Sequence, residues 1–348
     1  MKEVCICGRF DKGIETSRGQ VIKTRMIYEA LCAEIGKENI EIVDLYGGAS
    51  AMPRIFAQLL KSFRMCKRII IMPAYRGLRI LTPLCSLYNS IFKREMHYIV
   101  IGGWLSSFIE KHKSLYSMLL DFNKIYVETS TMKRALEGRG FKNIVLMKNF
   151  KVLDSIKPED LDLEIQKPYR VCTFSRVMEK KGIEDAINAV VKINQQSNST
   201  VFTYDIYGEI SPEYREQFET LSKKFPDYIK YRGLVPYDQS VNTLKHYFAL
   251  LFPTKFYTEG IPGTIIDAYA SGVPVIAAKW ESFDDVIDDR STGIGYRFDD
   301  QGDFVAALEY IADNPQVILD MKQNCLKKSK EFSPQTAMNT LLTEMGMR

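Results

Sequence analysis

Short apolar runs alternate with longer amphipathic stretches along the chain, and that alternation predicts strands separated by helices. The first run, residues 4–7, leads into a glycine- and charge-rich segment, 8–19. Val21, Ile22, Met26, Ala30 and Leu31 then share one helical face. Further strand candidates follow at 40–43, 68–72, 98–101, 124–127 and 143–147. After a polar interruption the pattern restarts at 169–174, with a helix over 183–193 and strands at 201–207, 228–232, 249–252 and 273–277. Helical patterns over 303–312 and 315–330 precede Pro334 and a last helix. Strands spaced by helices in this way predict an α/β chain of two doubly wound parallel sheets in tandem.

The interruption at 154–167 is acidic, holds Pro158 and ends before Pro168, and reads as an interdomain linker. The expected domains are therefore 1–165 and 166–331, with a C-terminal helix, 332–348, packing back on the N-terminal domain. A length of 348 residues also favours two domains. With 46% hydrophobic and 26% charged residues, the composition excludes a disordered, collagenous or disulfide-scaffold protein. No window supplies the roughly 18 uncharged apolar residues of a membrane span. Seven cysteines without a CxxC pair fit reduced thiols, so the expected location is cytoplasmic.

Charge changes the picture further. Residues 1–168 carry 27 basic and 18 acidic side chains, whereas 169–348 carry 20 and 25. From Arg54 to Arg94 there are nine basic residues and no acidic one, interleaved with Phe56, Ile80, Leu84, Leu87 and Ile91. Two readings stay open: core helices with a solvated basic face, or a surface for anionic lipid headgroups or a phosphate-bearing substrate. In the second case the protein would work at the inner face of the cytoplasmic membrane. Nucleic acid is not expected, because the net charge is only +4 and no binding motif is present.

Two segments could carry chemistry. In 174–182 a strand ends, Arg176 follows, and Lys181-Gly182 opens a helix, placing cations where a diphosphate could be clamped. In 258–276, Gly260 and Gly263 permit close backbone approach, and a helix starting near Pro262 and Thr264 offers free N–H groups to an anion. Glu259 precedes that helix and Asp267 lies inside it. No His, Cys and carboxylate cluster has metal-ligand spacing.

These segments resemble the family 4 retaining glycosyltransferases of the GT-B fold, which build bacterial capsular polysaccharide, O-antigen (lipopolysaccharide) and glycolipids. Glu259-Gly260 and the Ala270 to Ile276 ending match that family's signature, with Asp267 where a second Glu is commoner. Arg176 and Lys181-Gly182 match its Arg-x4-Lys-Gly element, and Asn149, Gly208-Glu209 and Arg232 to Val235 fall at related positions. The resemblance implies two Rossmann-like domains facing a cleft and a metal-independent hexosyl transfer from a nucleoside diphosphate sugar, UDP or GDP, to a saccharide acceptor, lipid-linked or free. Arg176 and Lys181 would neutralise the leaving diphosphate, Glu259 would bind a donor-sugar hydroxyl, and Asp267 the ribose. Gly263 and Thr264 would hold the distal phosphate, while Glu209 and Val235 would line the nucleoside pocket. No cofactor is implied, the nucleotide sugar being a substrate.

In the N-terminal half Gly19 and Gln20 stand where the family approaches the donor phosphate. Lys23 reads equally as an acceptor-side contact or a structural residue, and Gly102, Gly103 and Trp104 would shape the acceptor side. His97, His112 and His246 read as structural or surface residues. Two rivals share the fold: a sugar-nucleotide epimerase and a silent nucleotide-sugar-binding protein. A dinucleotide-dependent dehydrogenase is disfavoured, since Gly8 and Gly13 do not make a G-x-G-x-x-G.

Overall fold

The computed structural model describes residues 1–11 and 19–348. Most of the glycine-rich segment 8–19, including Gly13, lies outside the described residues. In chain order the main elements are β1 (Lys2–Gly8), α1 (Gly19–Ile35), β2 (Ile40–Asp44), α2 (Met52–Met65), β3 (Cys66–Ile71), α3 (Tyr75–Phe92), β4 (Glu95–Ile99), α4 (Leu105–Lys111), α5 (Ser114–Leu120), β5 (Lys124–Val127), α6 (Ser130–Glu137) and β6 (Ile144–Leu146). They continue with β7 (Tyr169–Phe174), α7 (Ile183–Gln196), β8 (Phe202–Tyr207), α8 (Arg215–Ser222), β9 (Ile229–Gly233), α9 (Ser240–Leu244), β10 (Ala249–Phe252), α10 (Gly263–Ala270), β11 (Val275–Ala278), β12 (Gly293–Tyr296), α11 (Gln301–Asp313), α12 (Gln316–Ser329) and α13 (Pro334–Glu344).

Two compact units result: unit 1 comprises 1–149 with 334–348, and unit 2 comprises 150–333. Each holds one six-stranded sheet whose strand pairs are all parallel. Unit 1 runs β2-β1-β3-β4-β5-β6 and unit 2 runs β12-β11-β10-β7-β8-β9. The inner strands are largely apolar on both faces because helices cover both sides, whereas the edge strand β9 exposes Lys230 and Arg232. Cys5, Cys7, Ile69, Ile71, Val127 and Leu81 belong to one core cluster of unit 1. In unit 2, Val171, Tyr204 and Leu251 pack toward α7 and α11, while Cys172, Leu250 and Ala277 pack toward α10.

The stretch 154–167, expected to be a linker, packs within unit 2: Ile156 N–H donates to Ala270 O at 3.0 Å. Helix α13 belongs to unit 1, where Lys124 meets Glu344 at 2.6 Å and Arg348 meets Glu34 at 2.9 Å. The edge strand β12, Gly-Ile-Gly-Tyr, is one the hydrophobic pattern does not reveal. Two glycines remove half of its alternation, leaving nothing for a period-two pattern to register.

His97 is structural. It lies on β4 with 1% exposure, and Tyr126 Oη stands 3.2 Å from its Nδ1. Burial, with Arg68 and Lys124 nearby, lowers its pKa from 6.5 to about 4. Between those values the unfolded chain takes up a proton that the native imidazole refuses. Unit 1 should therefore lose stability as pH falls from 6.5 toward 4, by up to about 3 kcal/mol. Denaturant titrations followed through Trp104, the tryptophan of unit 1, should show this slope in the wild type and a flatter one in His97→Phe. Equal slopes would refute it.

Candidate functional site

In unit 2 the strand order reverses between β7 and β10, the topological switch where ligands of open α/β sheets bind beyond the strands' carboxyl ends. The segments after those two strands carry Arg176, Lys181, Thr254 and Glu259. They are held together by a backbone approach that only glycine permits. Gly182 has φ +69°, and a Cβ there would stand 1.8 Å from Pro253 O. Gly208, at φ +137°, meets the β7 end similarly, since its Cβ would lie 1.9 Å from Ser175 O.

Lys181 Nζ donates to Glu259 Oε2 at 2.8 Å, and Thr254 Oγ1 donates to the same oxygen at 3.1 Å. The ammonium also lies 5.4 Å from the Phe252 ring centroid and 5.1 Å from that of Phe256. Partly buried aromatic faces favour a cation there. Arg176 is half-buried, and its guanidinium makes no hydrogen bond or ion pair with any described residue. A guanidinium has five donors that hold an anion in a fixed fork, so Arg176 is poised for an acidic ligand.

Helix α10 starts beside this set. Pro262 is its N-cap and supplies no side-chain acceptor, so the N–H groups of Gly263 and Thr264 have no intrahelical partner. Thr264 Oγ1 is also buried without a hydrogen-bond partner among the described residues. Free N–H groups, a buried hydroxyl and the positive end of the helix dipole together suit a phosphate. Gly260 and Pro262 are buried beneath that turn.

Asp267, inside α10, is placed differently from an open ribose ligand. The residue is 2% exposed. Lys151 Nζ donates to both of its oxygens, at 2.6 and 2.7 Å, and Ser240 Oγ donates to Oδ1 at 2.9 Å. Burial pushes the Asp267 carboxyl above its ordinary value, and Lys151 and Ser240 pull it back. Lys151 lies 4.6 Å from the Tyr237 ring centroid, and its side chain runs past Gly263. Lys151, Ser240, Tyr237 and Thr254 stand in none of the motifs that the sequence shows. A lysine two residues beyond Asn149 was the one available signal for the first of these. Glu209 is exposed and Val235 half-buried, both after strand ends of unit 2.

Unit 1 holds the remaining candidates. Gly19 opens α1, and Gln20 Nε2 donates to Met72 O at 3.1 Å. Lys23 is 4% exposed and its ammonium pairs with the buried Glu128 carboxylate, so it serves inside the unit. Gly102 has φ +84°, Gly103 is buried, and Trp104 Nε1 donates to Ile101 O at 2.8 Å.

Residues 158–332 match the family model described as Glycosyl transferases group 1. The chain is 24% identical over 198 residues to the amylovoran biosynthesis glycosyltransferase AmsK of Erwinia amylovora. That match covers 53% of this chain and 46% of AmsK, so the chain matches about half the length of its curated relative. Among solved structures, Anabaena HepE in complex with UDP superposes with a TM-score of 0.76 at 12% identity, covering 100% of both chains. Sucrose-phosphate synthase from Thermosynechococcus elongatus gives 0.78 at 14% identity, covering 99% of each. Both likenesses concern the fold, which is GT-B.

Proposed function

We propose that this chain, which belongs to the Glycosyl transferases group 1 family, moves a hexose-type sugar from a nucleoside diphosphate sugar to a saccharide acceptor, with retention at the anomeric carbon, in polysaccharide or glycolipid synthesis. The observation that carries this reading is the unpartnered Arg176 and the Lys181–Glu259 pair beside the uncapped α10 N-terminus. A leaving diphosphate gains negative charge as its bond to the sugar breaks, and cations with free N–H groups stabilise that charge without reorganising.

In this scheme Arg176 and Lys181 face the diphosphate, and Gly263 and Thr264 hold its distal phosphate. Glu259, held by Lys181 and Thr254, accepts from a donor-sugar hydroxyl. The anomeric C–O bond to phosphate breaks, the acceptor oxygen bonds to the same carbon, and the acceptor's proton passes to the departing phosphate oxygen. No separate base is needed on that front-face path. Side-chain cations take the part a metal plays elsewhere, so EDTA should not abolish activity. Unit 1 would carry the acceptor.

UDP is the first nucleoside diphosphate to test, because HepE is described in complex with UDP. A thermal-shift panel of UDP, GDP, ADP, CMP and NAD in EDTA should raise the melting point with one nucleoside diphosphate. Saturation at about 100 times the dissociation constant adds about 2.7 kcal/mol of stability. A rise with NAD alone would overturn the reading.

A further inference from the structure

We propose that the face of unit 1 formed by α2 and α3 docks onto an anionic lipid bilayer. This goes beyond the donor-site reading and uses none of its residues.

The nine cations between Arg54 and Arg94 divide into two groups. Five are engaged within the unit. Arg54 donates to the carbonyls of Asp44 and Tyr46, and Arg94 to that of Phe63. Lys61 pairs with Glu41, Lys67 with Glu3, and Arg68 with Glu3 and Glu95. The side chains of the other four, Arg64, Arg76, Arg79 and Lys93, are exposed and make no ion pair or hydrogen bond with any described residue.

Those four flank an aliphatic stripe. Ile80, Leu87 and Ile91 are 46%, 60% and 69% exposed, and half-buried Leu84 completes the row. Positions 80, 84, 87 and 91 lie along one side of a single helix, and Arg76 extends the same row by one turn. The buried side of α3 is a different set, Leu78, Leu81, Thr82 and Cys85; Leu84 packs partly against that core, whereas Ile80, Leu87 and Ile91 stand clear of it. Helix α2 lies alongside: Phe63 packs against Tyr88 with ring centroids 5.7 Å apart, and Arg64 lies over the Phe92 ring. Phe56 of α2 adds a further exposed apolar side chain.

A continuous apolar row rimmed by free cations matches a bilayer surface at both levels. The aliphatic side chains enter the boundary of the acyl region, while the cations remain among negative headgroups. A second copy fits less well. A two-fold contact sets a patch against itself, which would bring Arg76, Arg79 and Lys93 of both copies together with no acid between Arg54 and Arg94 to offset them.

The test is co-sedimentation of the full chain with vesicles, either pure phosphatidylcholine or equal parts phosphatidylcholine and phosphatidylglycerol, at low and high salt. The protein should pellet with the phosphatidylglycerol vesicles at low salt only. Each lost cation should weaken partitioning about fivefold, so Arg64→Gln, Arg76→Gln, Arg79→Gln and Lys93→Gln combined should reduce it by at least about 100-fold. Leu87→Ser with Ile91→Ser should also weaken it, by about tenfold or more. All of these positions are exposed, so the variants should keep the wild-type melting point and any nucleotide-induced shift. Equal pelleting with both vesicles, no pelleting with either, or unaltered binding by the four-cation variant would overturn the proposal. A lipid-free dimer that Leu87→Ser with Ile91→Ser dissociates would make the occupant a second copy instead.

Discussion

Arg176→Ala and Lys181→Ala should each lower sugar transfer by about 100- to 1,000-fold, the usual cost of removing one preorganised donor to a developing anion. The two variants should differ in their side effects. The Arg176 guanidinium has no partner among the described residues, so its removal strands no other group and the melting point should stay at the wild-type value. Removing Lys181 leaves the Glu259 carboxylate with only the Thr254 hydroxyl. Lys181→Ala should therefore also impair donor-sugar binding and raise the donor KM more than Arg176→Ala, which should weaken the diphosphate contact and lower kcat. Steady-state kinetics with the preferred donor separate the two. Wild-type turnover in both variants would remove the diphosphate clamp from the account.

The second large effect is on stability. The Lys151–Asp267 pair is nearly sealed from water, with side chains 12% and 3% exposed. Lys151→Ala leaves a buried carboxylate held only by Ser240, and breaking such a pair costs about 3–5 kcal/mol. Replacing both partners with apolar residues of similar size, Lys151→Met with Asp267→Leu, should recover most of that loss, because neither charge is then buried alone. Denaturant unfolding followed through Trp280, the tryptophan of unit 2, gives the comparison. A small loss in Lys151→Ala would mean that water reaches the carboxylate and that the pair contributes little. The nucleotide-induced melting shift of the double variant then shows whether Asp267 has any part in donor binding beyond holding α10.

The inner parallel strands were legible because helices cover both faces, which makes them short, largely apolar runs. Residues 124–127, 169–174 and 249–252 agree with the observed β5, β7 and β10. Strand β11 begins at Val275, two residues later than expected, because Pro274 has no N–H to give to a ladder. The site was partly legible for a different reason. Lys181 and Glu259 lie 78 residues apart, yet each stands in a local pattern of glycines, charge and helix start that shows in sequence. The partners of buried charges had no such pattern. Lys151 and Asp267 are 116 residues apart, and Lys23 and Glu128 are 105 apart. Which charged side chain goes inside is decided by the packing of the whole unit, and a period-based reading treats lysines as surface. The same limit applied to the Arg54–Arg94 cations, where only the fold separates the engaged from the free.

Isothermal titration of the preferred nucleoside diphosphate and its monophosphate, both in EDTA, tests the central claim most directly, with wild type and Arg176→Ala compared. The account predicts metal-free binding of the diphosphate, clearly tighter than the monophosphate, and a loss of about 10- to 100-fold in the variant, as expected for a hydrogen bond to a charged group. Equal affinity for the two nucleotides, or diphosphate binding that Arg176→Ala leaves untouched, would contradict it.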